Sequence, residues 1–546
     1  MGNGTSATKE ALPIATPFKL PSPLPSLPQG EGFGNGIINL GSGLQVCQVV
    51  SLNKIWATNE GGPDNLGATF FEASQMPQGF SMLGCYSQPN NRMLHGWVLA
   101  GKDETGDALT KPVDYTLVWS SESLQIKQEG VGYIWLPTPL DGYKALGCVV
   151  TTSPEKPSLE KVRCVRSDLT DDCQIDKWIW GQGKESDPNG FNVFSLRPSN
   201  RGTQAMGVSV GTFVAQNTTS ASISLACLKN IESNLSCMPA LDQVQAIFQA
   251  YSPRIYFHPD EEYLPSSARW YFTNGALLYK KDEESKPVPI ESTGSNLPQG
   301  GSNDGSYWLD LPVEEAARER VKRGDLQDCQ VYLHIKPMLG ATFTDIVAWL
   351  FYPFNGPGRA KVDLITVPLG KTGQHVGDWE HVTLRISNFN GQLCGIYLSA
   401  HSGGTWYDAS ELEFQDGNKA VIYSSLNGHA MYAKPGLVLQ GSGNIGIRND
   451  TAKSNKFIDT GARFSVVSAE YMGSSVVEPP WLNYLRKWGP NITYDLAEEA
   501  ETVEKLLPGK LKSAFDKFVK SLPKEIFGEE GPTGPKLKRN WTGDEV

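Results

Sequence analysis

Six of the seven histidines lie between residues 258 and 429, and one stands close to two acids in Gly373-Gln374-His375-Val376-Gly377-Asp378-Trp379-Glu380-His381-Val382-Thr383-Leu384-Arg385-Ile386. From Glu380 onward, the apolar positions 382, 384 and 386 alternate with Trp379, His381, Thr383 and Arg385. The segment therefore reads as a strand with Glu380 on its core face and Asp378 just ahead on the same side. Two inward carboxylates cost on the order of several kcal/mol each unless they are paired or bound to a cation. His375, on the loop before the strand, can turn its ring toward them. One histidine and two carboxylates within six residues suit an oxygen-rich divalent site for Mg²⁺, Ca²⁺ or Mn²⁺ rather than a thiolate zinc site. Arg or Lys partners are the competing way to satisfy both acids. His401 in Ser399-Ala400-His401-Ser402 and His429 in Asn427-Gly428-His429-Ala430 add polar groups at strand ends.

The elements that must hold these residues follow from periodicity. Residues 1–32 form a proline-rich arm, with six prolines between 13 and 28. From 33 to 237, strand-like runs alternate with turn clusters, and a pattern repeats. Pro77-Gln78-Gly79-Phe80-Ser81-Met82-Leu83-Gly84-Cys85 returns as Pro139 to Cys148, and more faintly as Pro198 to Val208. Three copies of roughly 60 residues, each long enough for a small sheet, predict a closed three-fold β-prism-like domain. Residues 238–252 read as a hinge helix ended by Ser252-Pro253. Residues 253–490 return to strand patterning. In 491–546, apolar residues over 497–527 fall on one face of two helices broken at Pro508-Gly509, and Lys536 to Val546 reads as a loosely held end. The expected fold class is mainly β, a three-fold β-prism-like N-terminal domain followed by a β-sandwich with short C-terminal helices.

Composition narrows the function classes. With 48 basic and 59 acidic residues the net charge is −11, so no basic field attracts nucleic acid. The longest apolar run, Ile346 to Phe354, is far short of the ~20 residues a spanning helix needs, so no transmembrane segment is expected. Nine widely spaced cysteines without CxxC pairs point to reduced thiols and a cytoplasmic protein. The opening Met1-Gly2-Asn3-Gly4-Thr5-Ser6 fits the N-myristoylation pattern, making Gly2 a lipidation candidate, although one acyl chain binds membranes only reversibly. No nucleophile elbow, P-loop or HExxH motif is present, and no enzymatic activity is expected.

Two resemblances add to this reading. Phe18 to Gln29, Lys111 to Ser121, Asp141 to Cys148, Arg163 to Asp171 and Gly528 to Pro535 resemble the plant family known as vacuolar protein sorting-associated protein 62-like, across nearly the full length. Within 253–490, His375 and Asp378-Trp379-Glu380 are similar to the signature of the necrosis- and ethylene-inducing cytolysins. Gly377 stands where that signature has its second histidine. Ala348 to Asn355 resembles the cytolysins' upstream segment, with Asn355 in place of a metal-binding aspartate. The second resemblance implies a β-sandwich, a divalent ion held by His375, Asp378, Glu380 and Asn355, and binding to glycosylated sphingolipids.

Together these expectations describe a non-enzymatic, lectin-like peripheral protein whose partner is a membrane glycolipid or glycan headgroup. A defence role, including toxin-like membrane damage to a pathogen or insect, belongs to the same class, and oligomerisation is compatible with it. The family resemblance supports an intracellular vacuolar-trafficking scaffold as the alternative, peripheral at a membrane or vacuole. A metal-dependent hydrolase is the weakest of the three readings, since carboxylate pairs alone are common.

Overall fold

A computed structural model describes residues 14, 16–181, 190–216, 223–232, 235–401, 403–442, 445–492, 512–513 and 532–545. The protein is mainly β, with many small sheets and few short helices. The N-terminal region uses the same pairing scheme three times. Three-stranded antiparallel sheets are built by Leu52–Ala57, Ala68–Ala73 and Tyr86–Pro89, by Asp114–Ser120, Tyr133–Thr138 and Val149–Thr151, and by Cys173–Gly181, Asn192–Pro198 and Phe213–Gln216. In each repeat a two-residue strand leaves this sheet (Ser81–Met82, Tyr143–Lys144, Gly207–Val208) and pairs with the strand that links onward. The repeats are thereby stitched into one another.

Two features close the repeats around a common centre. First, the middle strand of each sheet faces a β-bulge, at Ile55, Val118 and Ile179, and the next residue is always tryptophan. Trp56, Trp119 and Trp180 meet with ring centroids 5.3–6.1 Å apart. Second, the repeated Leu-Gly-Cys segments touch backbone to backbone. Cys85 N–H donates to the Cys148 carbonyl (2.9 Å), and Cys148 N–H to the Phe213 carbonyl (3.3 Å). A Cβ on Gly84 would lie 2.9 Å from Gly147 Cα, and one on Gly147 would lie 2.5 Å from Thr212 Cβ. Thr212 therefore stands in the third repeat where the others carry glycine. The sequence match of Gly202 to Gly79 and Gly142 misplaces this copy, because its short strand begins only at Gly207.

The C-terminal region is organised by a six-stranded sheet in the order Gly403–Asp408, Leu393–Ala400, His375–Ser387, Phe343–Asn355, Val331–Met338 and Phe464–Ser468. One face packs Leu350, Val382 and Leu384 against Ile255 and Ile422 of a second sheet. The helix Leu241–Tyr251 adds Val244, Ile247, Phe248 and Tyr251 to that core, the buried face its period implied. The opposite face packs Trp349, Phe351 and Trp379 against Trp481, Trp488, Trp541 and the helix Ala268–Thr273, which strand patterning did not anticipate.

Both ends of the chain lie against this body. Phe18 N–H donates to the Leu94 carbonyl (2.7 Å), Asn418 is bonded to Ser22, and Gln243 Nε2 reaches the Pro28 carbonyl (2.9 Å). The apolar pattern over 497–527 falls outside the described residues, save Lys512 and Ser513, which are helical, and Gly2 lies outside them too. The expectation of a loosely held end is overturned by residues 532–545. Trp541 stacks on His334 with centroids 3.7 Å apart, and Lys336 Nζ donates to the carbonyls of Asn540 (2.8 Å) and Gly543 (3.1 Å). Asp544 joins Arg385 (2.6 Å) of the six-stranded sheet to Arg201 (2.9 Å) of the third repeat. Glu545 accepts from Thr383 Oγ1 (2.5 Å) and His381 Nε2 (3.1 Å). A short polar tail is held because it supplies the anions that buried cationic and donor groups on the neighbouring strands lack.

Burial alone would raise the Glu545 carboxyl, but His381, Lys336 and Thr383 outweigh it and bring it down to about 2. Its contribution is complete above the ordinary value of 4.5 and is lost as pH falls from there toward 2. Chemical denaturation of Glu545→Gln against wild type should show a deficit of about 3 kcal/mol at neutral pH that closes over this window. Gly147→Ala should cost ~1–3 kcal/mol in the same assay, because its methyl group meets Thr212 at the centre of the repeats.

Candidate functional site

Alternation along His375–Ser387 places Asp378 and Glu380 on the face of Val382 and Leu384, and both are buried. Among the described residues, neither acid has an Arg or Lys as its hydrogen-bond partner. His429 Nδ1 lies 3.0 Å from Asp378 Oδ2, and its Nε2 lies 3.0 Å from the Tyr263 carbonyl. A carbonyl can only accept, so Nε2–H donates to Tyr263, and Nδ1 is the hydrogen-bond partner of the Asp378 carboxyl. Tyr352 stacks on that ring with centroids 3.8 Å apart. Burial by itself would raise the Asp378 carboxyl, but the His429 hydrogen bond, with the charges of His375, His429 and Lys538, holds it below the ordinary value.

Glu380 behaves in the opposite way. Burial first, and then the Asp378 charge, push its carboxyl up to about 8 against the Ser399 hydroxyl that donates to it. At neutral pH it is the protonated member of the pair. The two neighbouring acids are thus shifted in opposite directions, one lowered beside His429 and the other raised beside Ser399.

The remaining sequence candidates surround this pair in different ways. His375 turns its Nδ1 to the Gly377 carbonyl (3.0 Å), and burial holds its pKa below the usual value. Asn355, directly across from His375, donates to the carbonyls of Gly373 (2.7 Å) and Gly356 (3.2 Å). An aspartate there could not donate, which accounts for the amide in place of the acid. Gly377 has φ +70°, and a Cβ there would lie 2.5 Å from the Trp488 carbonyl oxygen, so no histidine fits where the cytolysin signature has one. His401 bonds Asn449 (3.0 Å) rather than either acid. Among the described residues, no three His, Cys, Asp or Glu side chains converge as a metal cage.

His429 is a sequence candidate that the structure brings to Asp378, whereas the roles of Ser399 and Tyr263 emerge only from the fold. Only the stretch Ser399-Ala400-His401 carried a signal. His429 and His401 both take left-handed backbone at φ +56° and +57°, a strain that tends to collect at functional sites. His429→Ala strands a buried carboxylate and should cost ~3–5 kcal/mol in denaturant unfolding. His401→Ala, which removes one half-exposed hydrogen bond, should cost about 1 kcal/mol.

The comparisons with known proteins agree with the full-length resemblance. A family model described as vacuolar protein sorting-associated protein 62 matches residues 14–545. The Saccharomyces cerevisiae protein of that description is 33% identical over 111 residues, 18% of this chain and 22% of its own. The chain thus spans about a fifth of that relative's length. Among solved structures, GNIP1Aa from Chromobacterium piscinae is similar over 37% of this chain and 40% of its own, at 18% identity and a TM-score of 0.27. Necrosis and ethylene inducing protein 2, from the causal agent of cocoa's witches' broom disease, is similar over 42% of this chain and 75% of its own, at 15% identity and a TM-score of 0.20. With a match running through nearly all its residues, the chain belongs to the vacuolar protein sorting-associated protein 62 family.

Proposed function

We propose that this protein is a non-enzymatic binder of polyhydroxylated headgroups, a glycan or the sugar of a glycolipid, acting peripherally at a membrane. The observation that carries the reading is the buried, hydrogen-bonded cluster of Asp378, His429, Glu380 and Ser399. Shifted pKa values in buried ionisable groups cluster at functional sites. This group offers an ionised acceptor beside a protonated carboxyl, the alternation that neighbouring sugar hydroxyls need. Catalysis is disfavoured by the same geometry: His429 spends its second nitrogen on the Tyr263 carbonyl, and Ser399 faces a protonated acid rather than a base.

Family membership favours a second reading, a vacuolar-sorting scaffold, and the two are compatible if sorting depends on headgroup recognition. A divalent cation of the Mg²⁺, Ca²⁺ or Mn²⁺ class enters this proposal only by displacing His429 from Asp378 and ionising Glu380. Flotation with phosphatidylcholine vesicles, with and without glucosylceramide and with and without a chelator, tests it. Wild type should float only with the glycolipid and regardless of chelator, and Asp378→Asn should bind at least about tenfold more weakly. Binding to neither vesicle would overturn the headgroup reading and leave the scaffold. Chelator-sensitive binding with stoichiometric metal by elemental analysis would place a cation between Asp378 and Glu380.

A further inference from the structure

A cleft of about 390 Å³ opens where the first and third repeats meet the edge strand Gly403–Asp408 of the six-stranded sheet. This volume falls within the ~300–1,000 Å³ of small-molecule sites. Trp97, Trp178 and Trp406 line it, and all three are half-buried in a molecule that buries most of its large aromatic side chains. A second cavity of about 220 Å³ shares Trp97, Trp406, Asp176 and Lys177 with it, so the two adjoin across the same side chains.

Trp178 is peculiar to the third repeat. The bulge at Ile179 pairs Trp178 with Phe194 and Trp180 with Val193, adjacent residues on opposite faces. Trp180 thus joins the central triad while Trp178 reaches the groove. The first and second repeats carry Lys54 and Leu117 at the same place before their bulges. Trp406 is held by the Arg385 guanidinium 4.3 Å from its ring centroid and by the Tyr397 ring at 5.6 Å, and it lines the groove.

The polar lining is mixed in sign and largely matched. Arg92 pairs with Asp408 (3.0 Å) across the two regions of the protein, and Asp176 with Arg197 (2.9 Å). Such a groove has no field for an anion, and an acyl chain would lie against the lining hydroxyl of Ser209 and the charged side chains of Lys177 and Glu411 without satisfying them. A ligand with flat C–H faces and a rim of hydroxyls satisfies both the indoles and the polar wall. We infer that this interdomain groove is a binding site for a neutral saccharide, distinct from the Asp378 cluster and sharing no residue with it.

Saturation-transfer NMR on the full-length protein with cellobiose, maltose, lactose and chitobiose tests the inference. At least one sugar should receive saturation, and Trp178→Ala and Trp406→Ala should each weaken binding about tenfold or more. Trp178→Phe, which keeps a ring, should retain most of it and guards against a folding artefact, as does an unchanged melting temperature. Whatever sugar the Asp378 cluster also holds, the part of the saturation that Trp178→Ala removes should persist in Asp378→Asn. No saturation of any of the four sugars would overturn the proposal, as would binding that survives both alanine variants. Loss in Asp378→Asn alone would assign the sugar to the other site and equally overturn it.

Discussion

The strand His375–Ser387 buries charge on both of its faces, and the rest of the C-terminal region is arranged around that fact. On one face Asp378 and Glu380 meet His429 and Ser399. On the other, His381 and Thr383 meet Glu545, and Arg385 meets Asp345 and Asp544. A central strand cannot turn such groups to water, so each partner must come from another segment. The partners lie up to 164 residues away in sequence. This explains why the last described residues of the chain, short and polar, are among its well-buried ones.

The same tail ties the two regions together. Asp544 holds Arg201 of the third repeat and Arg385 of the sheet at once, and Thr203 N–H donates to the Thr542 carbonyl (2.9 Å). The interface is further filled by Ala341 and Phe389, which enter the core of the repeats, and by Trp97 against Phe343 at 5.3 Å. The saccharide groove is thus walled by both regions, with its geometry set by contacts that the tail completes. Rigid walls of this kind are what keep half-exposed indoles from collapsing onto one another.

Legibility in the sequence followed locality. The mainly β character, the three-fold repeat and the shared face of Asp378 and Glu380 rest on short-range period and were readable. Ile55-Trp56, Val118-Trp119 and Ile179-Trp180, spaced by 63 and 61 residues, mark the central triad more directly than the glycine turns do. What could not be read was pairing at long range. Nothing local in Asn427-Gly428-His429-Ala430 says that its ring faces Asp378, and nothing in Asp544-Glu545 says that either acid is buried. The helix Ala268–Thr273 escaped for a related reason: its six residues are too few for a periodic signal, and Ser267 caps it through a hydrogen bond to Trp270 N–H (2.9 Å).

Net charge decides which kind of membrane contact is physically open. At −11, approach to an anionic surface is repelled rather than steered, and among the described residues no helix is long and apolar enough to cross a bilayer. Under the proposed headgroup reading, recognition comes from neutral chemistry, to which both candidate sites are suited. The Asp378 cluster sets a carboxyl bonded to His429 beside a Glu380 whose carboxyl is pushed up to about 8, and the groove matches its acids with Arg92 and Arg197. A protein that cannot rely on charge gains selectivity from hydrogen-bond geometry instead, because each unmatched hydroxyl or acceptor at a buried site costs about 1–3 kcal/mol. That penalty is what would separate one headgroup from another, and it serves a sorting scaffold as well as it serves a glycan-directed defence protein.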